Sequence, residues 1–307
     1  MWADRRVVVT GGAGFLGSFL VERLEAAGAV VTVPRSSSCD LRDPAACARL
    51  MADAAPSVVI HAAVDGGGIG YMRAHPASVY RNNTLMNTSL LHAAWEAGVE
   101  RFVGVSSICA YPRDARMPMR EEEVFLGYPE PSNAAYGLTK RGLMEMGRAY
   151  HQEHGFTCVF PMPVNLYGPR DCFDPARSHV VPALIRRFEE ARLAGTDEVV
   201  CWGTGRQTRE LLYVEDCADA VLLAAERIDT PEPFNLGTGV ETTVRSLAEK
   251  IAAAVGYEGR IGWDTTKPDG QPRKCLDVSR ARDWMGWEAQ VDLAEGLART
   301  VAWYRSS

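Results

Sequence analysis

Val7-Val8-Val9-Thr10-Gly11-Gly12-Ala13-Gly14-Phe15-Leu16-Gly17 is the stretch that decides the fold. Its first half lies in an apolar, β-branched run from Arg6 to Thr10 that predicts a buried strand. The amphipathic stretch from Ser18 to Ala27 predicts a helix directly afterwards. Between them, glycines at 11, 14 and 17 let the backbone turn sharply and keep side chains away from the helix N-terminus. Amides exposed at the positive end of a helix attract a pyrophosphate. Gly11, Gly14, Phe15, Leu16 and Gly17 are therefore candidate dinucleotide-binding residues. Such glycines carry little weight by themselves; their seat between strand and helix supplies it.

Outward from this unit the pattern repeats. Val30 to Val33, Val58 to His61, Phe102 to Ser106 and Thr157 to Pro161 read as strands, and Pro44 to Ala54, Val79 to Ala97 and Tyr136 to His154 as helices. Strands alternating with amphipathic helices predict βαβ units on a parallel sheet. The nearly unbroken apolar character of VVVT and SVVIH fits strands covered on both faces. After about Leu166 the texture changes to the Gly, Pro and Asp punctuation of NLYGPRDCFDP, followed by a helical segment from Pro182 to Ala191. ELLYVEDCADAVLLAAE and PFNLGTG look again like helix and strand returning to the sheet. The expected fold class is α/β: a Rossmann-type doubly wound parallel sheet with a smaller C-terminal substrate-binding lobe. Residues 1–165 are expected to form the dinucleotide-binding domain, with returning segments near 210–240, and 166–307 mainly the second lobe.

Composition narrows the function classes. Of the 307 residues 47% are hydrophobic and 23% charged, an ordinary globular balance. A formal net charge of −6 without any basic run argues against nucleic-acid binding. No apolar run approaches the roughly 20 residues that span a bilayer, and the start lacks a signal-peptide pattern, so a cytoplasmic protein without membrane contact is expected. Eight scattered cysteines, with no C-x-x-C and no Cys/His cluster at zinc spacing, predict reduced thiols and no metal site.

The second strand ends in Val33-Pro34-Arg35-Ser36-Ser37-Ser38. An acidic residue there would hold the ribose 2′-OH of NAD(H); Arg35 beside Ser36 instead suits a 2′-phosphate, which favours NADP(H), with NAD(H) as the alternative. Tyr136-x-x-x-Lys140 places a phenol and an ammonium one helical turn apart. A phenol with a pKa near 10 is a poor acid-base group at neutral pH unless a fixed cation stabilises its anion. With 10 tyrosines but only four lysines in the chain, chance seldom makes this pair. Strand four runs into Val105-Ser106-Ser107-Ile108-Cys109-Ala110-Tyr111. A hydroxyl at the carboxyl end of a parallel strand can orient a reacting oxygen, and Ser107 is the first candidate, Ser106 the second.

The segments GGGIGYMRAHPASVYRNN, SSICAYP, EPSNAAYGLTK, VNLYGPRDCFDPARSHVVPALIRRF, VCWGTG, RELLYVED and PDGQPRK together resemble the GDP-L-fucose synthase family of extended short-chain dehydrogenase/reductases. They span most of the chain, from about residue 60 to 275. The resemblance implies an NADPH-dependent epimerase-reductase acting on a GDP-linked 4-keto-6-deoxy nucleotide sugar. It assigns proton exchange at sugar C3 and C5 to Cys109 and His179, beside the catalytic Ser107, Tyr136 and Lys140. A ketone at C4 acidifies the hydrogens on both neighbouring carbons, so one ionisable group on each ring face can remove and return protons through an enolate. By the same resemblance Asp40 and Leu41 contact the adenine, and Ala62, Ala63, Val105, Pro163 and Val164 complete the expected cofactor set. Nucleotide-sugar binding falls to Asn165, Arg187, Trp202, Arg209 and Asp269, with Arg186 competing with Arg187. A homodimer through Val79–Ala97 and Tyr136–His154 is also implied.

Two departures from the family stand out: GGAGFLG replaces a G-H-x-G-M-V-G loop, and DGGGIG is about one residue longer than usual. Among rivals, a 4,6-dehydratase needs an Asp-Glu pair where this chain has Ile108-Cys109. A redox-neutral nucleotide-sugar epimerase shares Ser, Tyr, Lys and even the Cys, and Arg35 weighs against it. A non-catalytic dinucleotide sensor is the reading from another class, and the complete Ser107, Tyr136, Lys140 set opposes it.

Overall fold

The protein is described by a computed structural model covering residues 2–175, 177–267 and 269–307. Five short strands, β1 (Arg6–Thr10), β2 (Val30–Thr32), β3 (Val58–His61), β4 (Arg101–Gly104) and β5 (Thr157–Val159), form a parallel sheet in the order β2-β1-β3-β4-β5. Val7, Val8 and Val9 are at most 1% exposed, because helices cover both faces as their unbroken apolar run requires. The helices are α1 (Phe15–Ala26), α2 (Pro44–Ala54), α3 (Ile69–Ala74), α4 (Pro76–Glu96) and α5 (Ala134–His154). Strand order reverses between β1 and β3, and the crevice outside their carboxyl ends is where open α/β sheets bind ligands.

The local chemistry explains most boundaries. Asp43 caps α2 by accepting from the Ala45 amide, with Pro44 preset for the first turn. Helix α1 begins at Phe15, three residues before the amphipathic pattern announces it, because extended Gly14 serves as its N-cap. The strand expected over Thr157 to Pro161 divides at Phe160, where its partner changes. Thr157–Val159 pair with β4, whereas β6 (Pro161–Pro163) pairs in parallel with β11 (Phe234–Leu236).

Beyond β6, β7 (Asn165–Tyr167) lies parallel to β10 (Leu211–Tyr213), and β8 (Glu198–Trp202) to β13 (Arg260–Asp264). β9 (Thr208–Arg209) runs antiparallel to β12 (Thr242–Thr243). The helices here are α6 (Val180–Ala194), α7 (Val214–Arg227), α8 (Val244–Val255), α9 (Ser279–Met285) and α10 (Leu293–Ser306). Two buried apolar clusters result. One joins the parallel sheet to α7, β11 and also Leu276, Ala281, Met285 and Trp287; the other gathers α6, α8 and α10 around β8 and β10. Glu210 ties the chain together where they meet. Fully buried, it accepts from the amides of Thr238 at 2.6 Å, Gly239 at 2.7 Å and Leu276 at 2.7 Å, so its charge is never without donors.

Candidate active site

The glycine turn is built for a ligand that needs backbone. Gly11 has φ +71°, and a Cβ there would lie 2.7 Å from the Ala63 nitrogen. A Cβ on Gly17 would lie 2.0 Å from the Gly11 carbonyl oxygen. Helix α1 thus leaves the turn closer to β1 and β3 than any side chain allows, with no side chain capping its first amides. This cradle, which a Cβ would fill, fits a pyrophosphate. Ala62 follows β3 and donates its amide to the Thr10 carbonyl at 3.1 Å. Arg35 and Ser36 are exposed in the turn after β2, and the Arg35 guanidinium has no partner among the described residues. Asp40 grips Arg42 through two contacts of 2.8 Å, which pulls its carboxyl down to about 2, while Leu41 beside it is buried. Val164 is buried next to Pro163 of β6.

At the end of β4 the chain enters a one-turn 3-10 helix, Ile108–Ala110, with Ser107 as its N-cap accepting from the Cys109 amide at 3.2 Å. Ser107 and Cys109 both remain partly open, whereas Ser106 is buried with its hydroxyl directed at Met144 Sδ, 3.7 Å away. Tyr136 stands in the first turn of α5. Burial pushes the Tyr136 phenol well above its ordinary range, Cys109 adds to the rise, and the nearby Ser107 hydroxyl opposes it. Lys140 is buried one turn on, its Nζ 5.5 Å from the Tyr136 ring centre and donating to the Val105 carbonyl at 2.6 Å. Burial pushes this ammonium down to about 8. Desolvation is the largest influence on both groups.

His179 is the N-cap residue of α6. It is exposed, and desolvation by the surrounding protein holds its imidazole below the usual value. The glycine-rich loop after β3 reaches it: Gly68 donates to the Arg177 carbonyl at 2.8 Å, and a Cβ on Gly68 would sit 2.4 Å from the Ser178 oxygen. Asp65 anchors that loop, accepting from Tyr71 at 2.7 Å and from Asn82 at 2.8 Å. A cavity of about 160 Å³ lined by Met72, Arg73, Val79, Asn133 and Tyr136 lies between α3, the first turn of α4 and the start of α5.

The residues assigned to the nucleotide sugar divide into two places. Asn165 opens β7, in register with Leu211. Trp202, Arg209 and Asp269 gather at the end of β8: Asp269 accepts from the Thr204 amide at 2.6 Å and hydroxyl at 2.8 Å, and Arg209 donates to the Gln271 carbonyl at 2.8 Å. Trp202 is 67% exposed. Arg187 reaches the same strand through the Val200 carbonyl, whereas Arg186 turns away to Glu190 at 2.7 Å. Geometry thus separates two arginines that sequence leaves equivalent.

Sequence reading passes over two features. Asn133 donates to Cys109 Sγ at 3.1 Å. A buried polar chain runs under the site: Thr10 Oγ1 lies 2.7 Å from His61 Nδ1, His61 Nε2 lies 3.0 Å from Asn87 Oδ1, and Asn87 Nδ2 donates to the Thr139 carbonyl at 3.0 Å. Because Asn87 Oδ1 can only accept, His61 carries its proton on Nε2 and accepts from Thr10 on Nδ1. Burial, helped by the Lys140 charge, pushes His61 down to about 3, so it stays neutral. A lone histidine ending an apolar strand gives no signal in sequence beyond ordinary core packing. Among the described residues no cluster of His, Cys, Asp or Glu is arranged to hold a metal, and no helix is long and apolar enough to cross a membrane.

The sequence profile of the NAD dependent epimerase/dehydratase family matches residues 7–237. Over 300 residues the chain is 40% identical to GDP-L-fucose synthase 1 of Arabidopsis thaliana, covering 97% of this chain and 93% of that protein. It is 38% identical over 312 residues to the GDP-L-fucose synthase of Escherichia coli K12, covering 98% and 97%. The crystal structure of a GDP-L-fucose synthetase from Naegleria fowleri bound to NADP superposes with a TM-score of 0.90 at 28% identity, covering 99% of this chain and 95% of that one. With its parallel sheet, glycine cradle and Ser107, Tyr136 and Lys140 gathered at one strand end, the chain belongs to the NAD dependent epimerase/dehydratase family.

Proposed function

We propose that this protein converts GDP-4-keto-6-deoxymannose to GDP-L-fucose, inverting the carbons on both sides of the ketone before reducing it with NADPH. The observation that carries the reading is a partly open thiol, Cys109, two residues beyond Ser107 and against the start of the helix that bears Tyr136 and Lys140. The dinucleotide, when bound, supplies the hydride for C4. Gly11, Gly14, Phe15, Leu16 and Gly17 hold its pyrophosphate, and Arg35 with Ser36 takes the 2′-phosphate, which is why NADP(H) is used. Asp40, Leu41, Ala62, Ala63, Val105, Pro163 and Val164 wall in the rest of it.

Cys109 and His179 face C3 and C5 and exchange protons there; Ser107 and Tyr136 hold the C4 oxygen while its charge develops. Tyr136 then gives its proton to that oxygen. Burial keeps Tyr136 protonated and so able to give that proton, and the Lys140 ammonium near its ring is the charge that would offset the phenolate as it forms. Arg187, Arg209, Asn165, Trp202 and Asp269 bind the nucleotide sugar, with residues 166–307 as the lobe that carries most of them. The enzyme works in the cytoplasm, in keeping with eight free thiols, and as a homodimer through α4 and α5. These two 21-residue helices pack together, and His92, Trp95, Tyr150 and His154 form an aromatic cluster on them, Trp95 stacking on His154 at 4.3 Å.

Incubation with GDP-4-keto-6-deoxymannose and NADPH in D2O tests both halves. NADPH oxidation with deuterium at C3 and C5 is expected. Absence of oxidation sinks the reductase, and oxidation without deuterium sinks the epimerase. The titration of Lys140 gives a further expectation: kcat/KM for NADPH, which reports the free enzyme, should fall as pH rises through about 8, where the ammonium loses its proton. Lys140→Arg, charged throughout, should move that limb upward. A profile flat well beyond that pH would refute the assignment.

A further inference from the structure

Asn133 is the N-cap residue of α5, where an asparagine carbonyl ordinarily accepts from the first helical amides. It makes no such bond. Its Nδ2 donates to Cys109 Sγ at 3.1 Å instead, and its Oδ1 is buried without a hydrogen-bond partner among the described residues. A side chain kept for structure caps its helix or satisfies its buried polar atoms, and Asn133 does neither. The surroundings hold it against the sulfur. Gly137, one turn on, would place a Cβ 2.2 Å from the Cys109 carbonyl oxygen, so the start of α5 lies directly on the Cys109 backbone. Ser107 fixes the Cys109 amide at 3.2 Å from the other side. Asn133 and Tyr136 line the same cavity.

We infer that Asn133 is a positioning residue for Cys109: its amide N–H aims the sulfur into the cleft and stabilises the thiolate over the thiol. The inference rests on the reading that Cys109 exchanges protons beside the ketone. In that step the thiolate takes a proton from carbon and an S–H bond forms. The C–H electron pair enters an enolate whose oxygen Ser107 and Tyr136 hold, and reversal returns a proton to carbon. A donor to sulfur strengthens with negative charge and so favours the reactive form.

The test uses enzyme saturated with NADP. Alkylation of Cys109 by iodoacetamide near neutral pH is followed by peptide mass mapping, beside deuterium wash-in at C3 and C5 of GDP-4-keto-6-deoxymannose in D2O. Asn133→Ala should slow both by about tenfold or more, the loss expected for a hydrogen bond to a charged group. Asn133→Asp should slow them further, because a carboxylate beside the sulfur opposes the thiolate. Yet Asp is a good helix cap, so its melting temperature should hold or rise. KM for NADPH should stay as in the wild type in both variants. Unchanged alkylation in both variants overturns the inference. So does a slowing in Asn133→Ala that Asp reverses together with the melting temperature, which would assign Asn133 to the helix alone. Cys109→Ser separates the two levels: if it keeps wash-in, the reading of Cys109 fails and the inference with it. If it loses wash-in while Asn133→Ala keeps it, only the inference fails.

Discussion

Tyr136→Phe should slow NADPH oxidation by roughly 10²–10⁴-fold, the share of a positioned general acid, with little change in KM for NADPH. The argument is geometric before it is electrostatic. Tyr136 stands in the first turn of α5, which lies on the Cys109 backbone two residues beyond Ser107 at the end of β4, so the two residues belong to one strand-end site. Burial keeps the phenol protonated, and Phe retains the ring that packs there while removing the hydroxyl proposed to deliver the proton. Ser107→Ala should cost less, since water can replace an orienting hydroxyl more readily than a proton donor. The double variant should cost less than the product of the two, because each hydroxyl acts through the other. Steady-state rates with the keto sugar, beside cofactor titration by fluorescence, would decide it. A loss under about tenfold in Tyr136→Phe would move the acid role to another group.

The parts of this site that sequence reveals are those whose chemistry needs a fixed spacing along the chain. Tyr136 and Lys140 must lie one helical turn apart, and Gly11, Gly14 and Gly17 must follow a strand and open a helix, so both patterns survive as text. The parallel sheet was legible for the same reason: β1 and β3 are apolar without interruption because both faces are covered. What stayed hidden depends on partners far away in sequence. His61 is legible as a strand end, but its meaning comes from Thr10, 51 residues earlier, and Asn87, 26 residues later. Asn133 reads as a helix cap, and only the three-dimensional position of Cys109 shows that its amide is turned elsewhere. The choice between Arg186 and Arg187 turns on which face of α6 meets β8, a packing fact that adjacent identical residues cannot carry.

The hidden chain also bears on how the two halves of the chemistry stay in register. Thr10 directly precedes the glycine cradle, and Thr139 directly precedes Lys140. The path Thr10, His61, Asn87, Thr139 therefore links the glycine turn to α5 through buried groups that are all satisfied. Such networks rigidify when complete. A neutral imidazole serves there better than a charged one, since a second cation beside buried Lys140 would be repelled; the depression of His61 reflects burial first and that repulsion second.

The glycine cradle carries the other large effect, and it should separate stability from affinity. Gly17→Ala should abolish measurable NADPH binding and lower the melting temperature of the unliganded protein. Its methyl would stand 2.0 Å from the Gly11 oxygen, 2.6 Å from the Gly11 carbonyl carbon and 2.7 Å from Gly12 Cα. All three are backbone atoms of a turn already wedged against Ala62 and Ala63, so nothing flexible can yield, and α1 must move away from β1. Overpacking of this kind costs about 1–3 kcal/mol or more. Gly14→Ala is the informative contrast. Its φ of −85° is open to any residue, and its methyl would meet only the Gly11 oxygen, at 3.1 Å. With that single contact the unliganded protein should melt nearly as wild type, whereas a methyl added at the helix N-terminus, where a pyrophosphate would approach, should largely remove the stabilisation by added NADPH. Melting curves with and without NADPH for the two variants make the comparison. If Gly17→Ala melted like the wild type and kept its NADPH shift, the close approach of α1 to the turn would be wrong, and with it the physical reason for three glycines at this spacing.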